Sequence, residues 1–222
     1  MPRAPISTRT LADRRPWLLA SLAAAIAYYF LWNNEIGGLW LILLKGAGCA
    51  ALAGYCFRHA LGTDGWLIGA AMAFSSLGDM GIELDFTLGG AAFFCAHIAA
   101  IALYLRHPRP EPTSSQKLAG IALLLLTPLA SWLLSQNWQV ALYAVALGGM
   151  AAAAWWSAFP RYRVGLGAVL FVTSDLLIFA REGPMQLGWP ADALVWPLYF
   201  GGQFLIATGV VQTLKGWRRV PA

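Results

Sequence analysis

Eight apolar stretches, each about as long as a bilayer is thick, follow one another along this chain with almost nothing between them. They are residues 17–32, 36–57, 66–82, 87–105, 118–135, 139–158, 164–180 and 193–214. A helix that crosses the hydrocarbon core of a membrane needs roughly 17–25 mostly apolar residues. The polar breaks are short, at most 12 residues long (106–117 and 181–192), which leaves no room for a soluble domain. Only 11% of the residues are charged, against about 25% in an ordinary water-soluble domain. Such a surface cannot face water, so a disordered chain and a soluble enzyme are both excluded. Arg14-Arg15 precede the first stretch, which ends in Tyr28-Tyr29-Phe30-Leu31-Trp32 without a small-residue cleavage pattern. It therefore reads as an uncleaved first helix. The expected fold is an all-α polytopic membrane bundle of eight transmembrane helices over 16–215, with an N-terminal arm at 1–15 and a tail at 216–222.

The net charge of +5 is a topology signal. With eight spans both termini share one side. That side carries Arg3, Arg9, Arg14, Arg15, Arg58, Arg106, Arg109, Lys117, Arg161, Arg163, Lys215, Arg218 and Arg219, thirteen basic residues against Arg181 alone in the opposite loops. Positive loops stay cytoplasmic, so both termini are expected in the cytoplasm, with the chain in the cell (inner) membrane. The basic loops also suit anionic lipid headgroups. No basic stripe with interleaved aromatics exists on a soluble face, so nucleic acid is not an expected partner. Trp17, Trp32, Trp66, Trp138, Trp189, Trp196 and Trp217 cluster near the predicted interfaces as anchors. Gly65-x-x-x-Gly69 reads as close helix packing, with a dimerisation face as the alternative. Cys49, Cys56 and Cys95 show no metal-type spacing and read as buried free thiols.

Function is legible in what remains polar inside the spans: Lys45, Asp79, Asp175 and His97. A charge at such depth costs at least about 2.5–3.5 kcal/mol on insertion scales, and pairing around one internal pocket offsets it best. Depth agrees with a shared site. Asp79 lies about one turn from the outer end of span three, and Asp175 one to two turns below the outer end of span seven. Lys45 lies nine residues into span two, or roughly 13 Å at 1.5 Å per residue. His97 lies about ten residues into span four, and Tyr199 and Gln203 are one turn apart on one face of span eight. Hydroxyl residues precede both aspartates, Ser75-Ser76 before Asp79 and Thr173-Ser174 before Asp175, within reach of the carboxyls. Two carboxyls against one ammonium leave an unpaired negative charge in a low dielectric, so one carboxyl is expected to hold a proton. That pattern divides acid and base roles between two acids. Glu83 and Asp85 read as solvated loop acids.

The ordered set Phe74-Ser75-Ser76-Leu77-Gly78-Asp79, Gly89…Phe93-Phe94-x-x-His97, Gly167-x-x-x-Phe171-x-x-Ser174-Asp175 and Tyr199-x-x-x-Gln203, with Lys45 ahead of it, resembles the YhhN-like lysoplasmalogenase family. The resemblance runs from span two to span eight. Gly46-Ala47-Gly48 follow the lysine where the family has a proline. The resemblance implies hydrolysis of the vinyl ether bond of lysoplasmalogens to a fatty aldehyde and a glycerophospho-headgroup, with a lysophospholipid as substrate. The residues suit that chemistry. Protonation on carbon gives an oxocarbenium-like cation, water adds, and the hemiacetal collapses, much as two carboxyls serve glycoside cleavage. Asp79 and Asp175 are the expected catalytic acid/base pair, in an order left open. Lys45 is expected to tune them or to meet the phosphate. His97, Tyr199 and Gln203, with Ser75 and Ser174, are expected to position water or the headgroup. No metal or cofactor is expected: a zinc site needs about three such ligands and only His97 is at depth. Nor is there a Gly-x-Ser-x-Gly elbow. A proton-coupled transporter using the same buried charges is the alternative, though no inverted repeat with broken helices appears. A lipid-binding protein without chemistry is a third reading.

Overall fold

The structure is a computed structural model that describes residues 15–33, 37–60 and 62–217. Among them are eight α-helices: α1 Pro16–Leu31, α2 Leu39–His59, α3 Gly62–Ile82, α4 Phe86–Arg106, α5 Ser114–Ser135, α6 Trp138–Trp156, α7 Leu166–Glu182 and α8 Trp189–Trp217. A π-helical turn, Arg161–Gly165, runs directly into α7. Each of the eight apolar stretches has become one helix. Residues 1–14 of the expected arm and 218–222 of the tail lie outside the described residues, while Gly216 and Trp217 extend α8.

Six segments are long and apolar enough to cross a membrane: α2, α4, α5, α6, the π-turn with α7, and α8. The remaining two depart from the expectation for physical reasons. Helix α1 has 16 residues, or about 24 Å at 1.5 Å per residue, short of the roughly 30 Å of hydrocarbon. Helix α3 has the length, 21 residues, but Asp64, Asp79, Ser75, Ser76 and five glycines dilute its hydropathy. An apolar exterior supports the membrane reading: Trp66, Trp138, Leu125, Leu142 and Trp189 are all exposed, on a scale that monomers in water avoid.

Local chemistry sets the helix ends. Thr113 and Gln116 form a reciprocal capping box at the start of α5, satisfying donors that the first turn leaves unpaired. Asp85 caps α4 by accepting from Leu88 N at 2.8 Å, and Asn137 caps α6. Consecutive helices pack side by side except α4 and α5, and α8 closes back on α1, α2 and α3 while α4 packs on α6. Small residues and side-chain-to-backbone bonds hold these contacts. Ser21 Oγ donates to Gly48 O at 2.8 Å, Ser76 Oγ to Gly46 O at 2.8 Å, and Trp196 Nε1 to Ala25 O at 3.0 Å. Helices α7 and α8 meet at Gly167 and Gly202, where a Cβ on either would stand 2.6–2.7 Å from the other's carbonyl oxygen. Gly65 and Gly69 pack within the chain, against Ala60 and Phe57.

One end of the bundle gathers the basic residues. There Asp64 pairs with Arg106 and His107, both at 2.8 Å, and Arg109 Nη2 donates to Phe159 O at 3.0 Å. The opposite end carries Glu83, Asp85, Glu182 and Asp192.

Candidate active site

Two buried carboxyls face the interior near the acidic end. Asp79, on α3, is 2% exposed, and Asp175, on α7, is 6% exposed. Each has its own set of partners.

Around Asp79 stand Cys49 from α2 and Tyr199 from α8, whose thiol and hydroxyl are 3.2 Å apart. One carboxyl oxygen, Oδ2, is fully buried and makes no hydrogen bond. Lys45, one turn from Cys49 on α2, lies close enough to act on this carboxyl, but its ammonium is ion-paired with Glu83 in the turn after α3. Lys45 also sits 5.7 Å from the Tyr28 ring centroid. Glu83 is exposed in a turn, as expected of a loop acid, but it is paired with Lys45. The side chain of Lys45 is 14% exposed and that of Glu83 39%. A third carboxyl has entered the charge ledger and taken the ammonium, because the turn after α3 folds back over α2. The reading of Cys95 as a buried thiol is corrected: it is exposed on the bundle exterior, whereas Cys49 and Cys56 are buried.

Around Asp175 the partners come from three helices. Tyr143 Oη, on α6, donates to Asp175 Oδ2 at 2.8 Å, and His97 Nε2, on α4, lies 2.9 Å from the same hydroxyl. Ser174 Oγ donates to Phe171 O at 2.8 Å and reaches Asp175 Oδ1 at 3.4 Å. His97 is buried, and its role here is a partner to Tyr143.

No hydrogen bond joins the two carboxyls among the described residues, and the pairing expected around one internal pocket takes the form of two adjoining clusters. Aromatic rings connect them. Phe171 lies 5.1 Å from Tyr199 on the Asp79 side and 5.1 Å from His97 on the Asp175 side, and Phe93 lies 5.7 Å from Tyr199. Separate hydrogen-bond donors stabilise two buried carboxyls better than proximity to each other does, since like charges repel strongly in a low dielectric.

Gln203 and Ser75 occupy the layer beneath. Gln203 Nε2 donates to Ser75 Oγ at 2.8 Å, and Ser75 Oγ to Ala71 O at 2.9 Å. Tyr199 and Gln203 do share a face of α8, the one turned to α2 and α3. A narrow cavity of about 10 Å³ is lined by Ser75, His97, Phe171, Gln203 and Tyr104, among others. That is room for a single water. The Tyr104 hydroxyl is buried without a hydrogen-bond partner.

Three residues of this site went unread in the sequence. Cys49 was read only as a buried free thiol and Glu83 only as a solvated loop acid, and Tyr143 was not singled out. Depth was the available signal for Tyr143. It lies five residues into α6 from the acidic end, close to the level of Asp175, seven residues from that end of α7. Among the described residues, no three His, Cys, Asp or Glu side chains come together as a metal-binding group.

Comparison with known proteins gives one family. The YhhN family is matched over residues 40–210. Proteins named lysoplasmalogenase from Mycobacterium bovis and Mycobacterium tuberculosis are each 28% identical to this chain over 182 residues, covering 74% of it and 68% of the relative. No solved structure matches the chain.

Proposed function

The chain belongs to the YhhN family, and from that premise we propose that it is a membrane hydrolase that cleaves the vinyl ether bond of lysoplasmalogens with Asp79 and Asp175. One observation supports the mechanism: two buried carboxyls near the acidic end of an apolar bundle, Asp79 with one oxygen left bare and Asp175 with partners on both oxygens.

That asymmetry supports one order of the roles the sequence left open. Lys45 is held by Glu83, and no donor reaches Asp79 Oδ2. Tyr199 and Cys49 stand by the carboxyl, but the oxygen without a donor favours its neutral form, because an unsatisfied charged oxygen in hydrocarbon is costly. Asp79 is the acid that places a proton on the vinyl carbon remote from oxygen. Asp175, with Tyr143 and Ser174 on its oxygens, is the carboxylate that faces the oxocarbenium-like cation and takes a proton from the attacking water. The hemiacetal then returns its hydroxyl proton to Asp79, and Asp175 protonates the departing glycerol oxygen. Both groups end as they began, and vinyl ether plus water has become aldehyde plus alcohol. No step requires a metal.

The two short or polar helices, α1 and α3, are read as spans alongside the six apolar ones. The basic end then lies in the cytoplasm, and the carboxyls sit toward the opposite leaflet. The decisive experiment is aldehyde release by purified protein from vinyl ether, alkyl ether and ester lysolipids of equal chain length. Only the vinyl ether should be cleaved. Asp79→Asn and Asp175→Asn should each lose about 10²–10⁴-fold in kcat while remaining folded. A wild-type protein silent on the vinyl ether, or both variants at the wild-type rate, would overturn the reading.

A further inference from the structure

We propose that Tyr143 and His97 form a proton relay that carries a proton from the small cavity to Asp175. The inference rests on the reading of Asp175 as the base of the reaction and adds to it the route by which that base is reached.

The geometry is a continuous chain across three helices: Asp175 Oδ2 to Tyr143 Oη at 2.8 Å, Tyr143 Oη to His97 Nε2 at 2.9 Å. Its direction follows from counting protons. A tyrosine hydroxyl has one proton, and Tyr143 gives it to Asp175. Tyr143 must then accept from His97, so Nε2 carries the histidine proton and Nδ1 is a bare acceptor. Among the described residues no hydrogen bond reaches Nδ1, and His97 lines the cavity beside Ser75, Gln203 and Phe171. Helix packing holds this order in place. The Tyr143 ring lies edge-on to Phe179 at 6.1 Å and tilted against His97 at 5.4 Å.

A proton delivered to Nδ1 sets off a concerted shift. The Nε2 proton passes to Tyr143 Oη, and the Tyr143 proton passes to Asp175 Oδ2. The chain then runs the other way: Asp175 donates to Tyr143, Tyr143 to Nε2, and His97 is neutral again with its proton on Nδ1. The proton lost by water in the cavity has reached Asp175, and the hydroxide equivalent has bonded to the cationic carbon. No charge stays on His97, which avoids placing an imidazolium in an apolar layer. When Asp175 protonates the leaving oxygen, Tyr143 turns its hydroxyl back to Asp175, and the relay resets once a water molecule takes the His97 proton from Nδ1 and returns one to Nε2. Tyr143 and His97 are positioning residues in this scheme, because they act through Asp175.

Two measurements test it. The first needs no activity: NMR of ring-labelled histidine in detergent, with His97→Gln assigning the signal against His59 and His107. The expected result is a neutral His97 with its proton on Nε2; a proton resting on Nδ1, or a cationic ring, overturns the relay. The second is kinetic. Tyr143→Phe keeps the ring and removes the hydroxyl, and should lower kcat about 10²-fold with little change in KM. Rates in mixtures of H₂O and D₂O should curve downward for the wild type, as several protons move together, and become linear for Tyr143→Phe. A variant with wild-type kcat and the same curvature overturns the relay while the hydrolase stands. A wild type inactive on vinyl ethers removes the hydrolase reading, and the tautomer measurement then decides the relay alone.

Discussion

At the residue scale the site is a problem of paired and unpaired charge. The Lys45–Glu83 pair joins a half-buried ammonium to an exposed carboxylate, so its worth should lie nearer that of exposed pairs, about 0–1 kcal/mol, than the about 3–5 kcal/mol lost when one partner of a buried pair is removed. Glu83→Gln should destabilise the protein by about 1 kcal/mol, and Lys45→Met in the same chain should restore part of that loss. A double-mutant cycle on thermal unfolding in detergent measures the coupling; strictly additive losses would show that the pair contributes nothing. Asp64 supplies a pH dependence. Burial opposes its charge, but hydrogen bonds with Arg106 and His107 outweigh that and hold the carboxyl below its ordinary range. A lowered value in the folded state means that the contribution is fully present above the ordinary carboxylate value, about 3.9, and is lost as pH falls through the lower folded value. Asp64→Asn should therefore melt earlier than the wild type at neutral pH, and the gap should close in acid. At this scale the charged members of the site were legible, because Lys45, Asp79, Asp175 and His97 are costly in hydrocarbon and announce themselves. Tyr143 and Cys49 are cheap there. Nothing in composition separates a relay tyrosine from an interfacial one.

At the scale of helices, the site exists because α7 and α8 approach closely enough to set Phe171 against Tyr199. Gly167 and Gly202 allow that approach. Gly202→Ala would place a methyl 2.6 Å from Gly167 O, and overpacking of this kind costs typically about 1–3 kcal/mol. Gly201→Ala is the control, with nothing within 4 Å of its added Cβ. The first should lower both the melting temperature and kcat, the second neither; equal behaviour of the two would mean that the helix crossing is not set here. Helix existence was readable from apolar length alone. Helix ends moved by up to four residues where caps such as the Thr113–Gln116 box, or a π-turn such as Arg161–Gly165, extended the helix beyond its apolar run. Which helices touch was not readable, since glycines occur in nearly every span.

At the scale of the whole molecule, one end is basic, the other acidic, and the site lies toward the acidic end. Single cysteines in a chain with Cys49, Cys56 and Cys95 replaced should report the orientation. Gln186→Cys, at the acidic end, should react with a membrane-impermeant maleimide in intact cells. Glu111→Cys, at the basic end, should react only after permeabilisation, and the reverse pattern would invert the topology. The sequence by itself determined that the chain is a helical membrane bundle, which apolar stretches form the helices of the described residues, and which ionisable residues must be sheltered inside it. These follow from hydropathy and from the cost of charge in hydrocarbon, which act on each segment separately. Only the tertiary structure decided that Glu83 would take the lysine, that the two aspartates would stand in adjoining clusters, and that Tyr143 would bridge His97 to Asp175. The Lys45–Glu83, His97–Tyr143 and Tyr143–Asp175 contacts join residues 32 to 46 positions apart in the chain, and they are set by the angles at which whole helices pack.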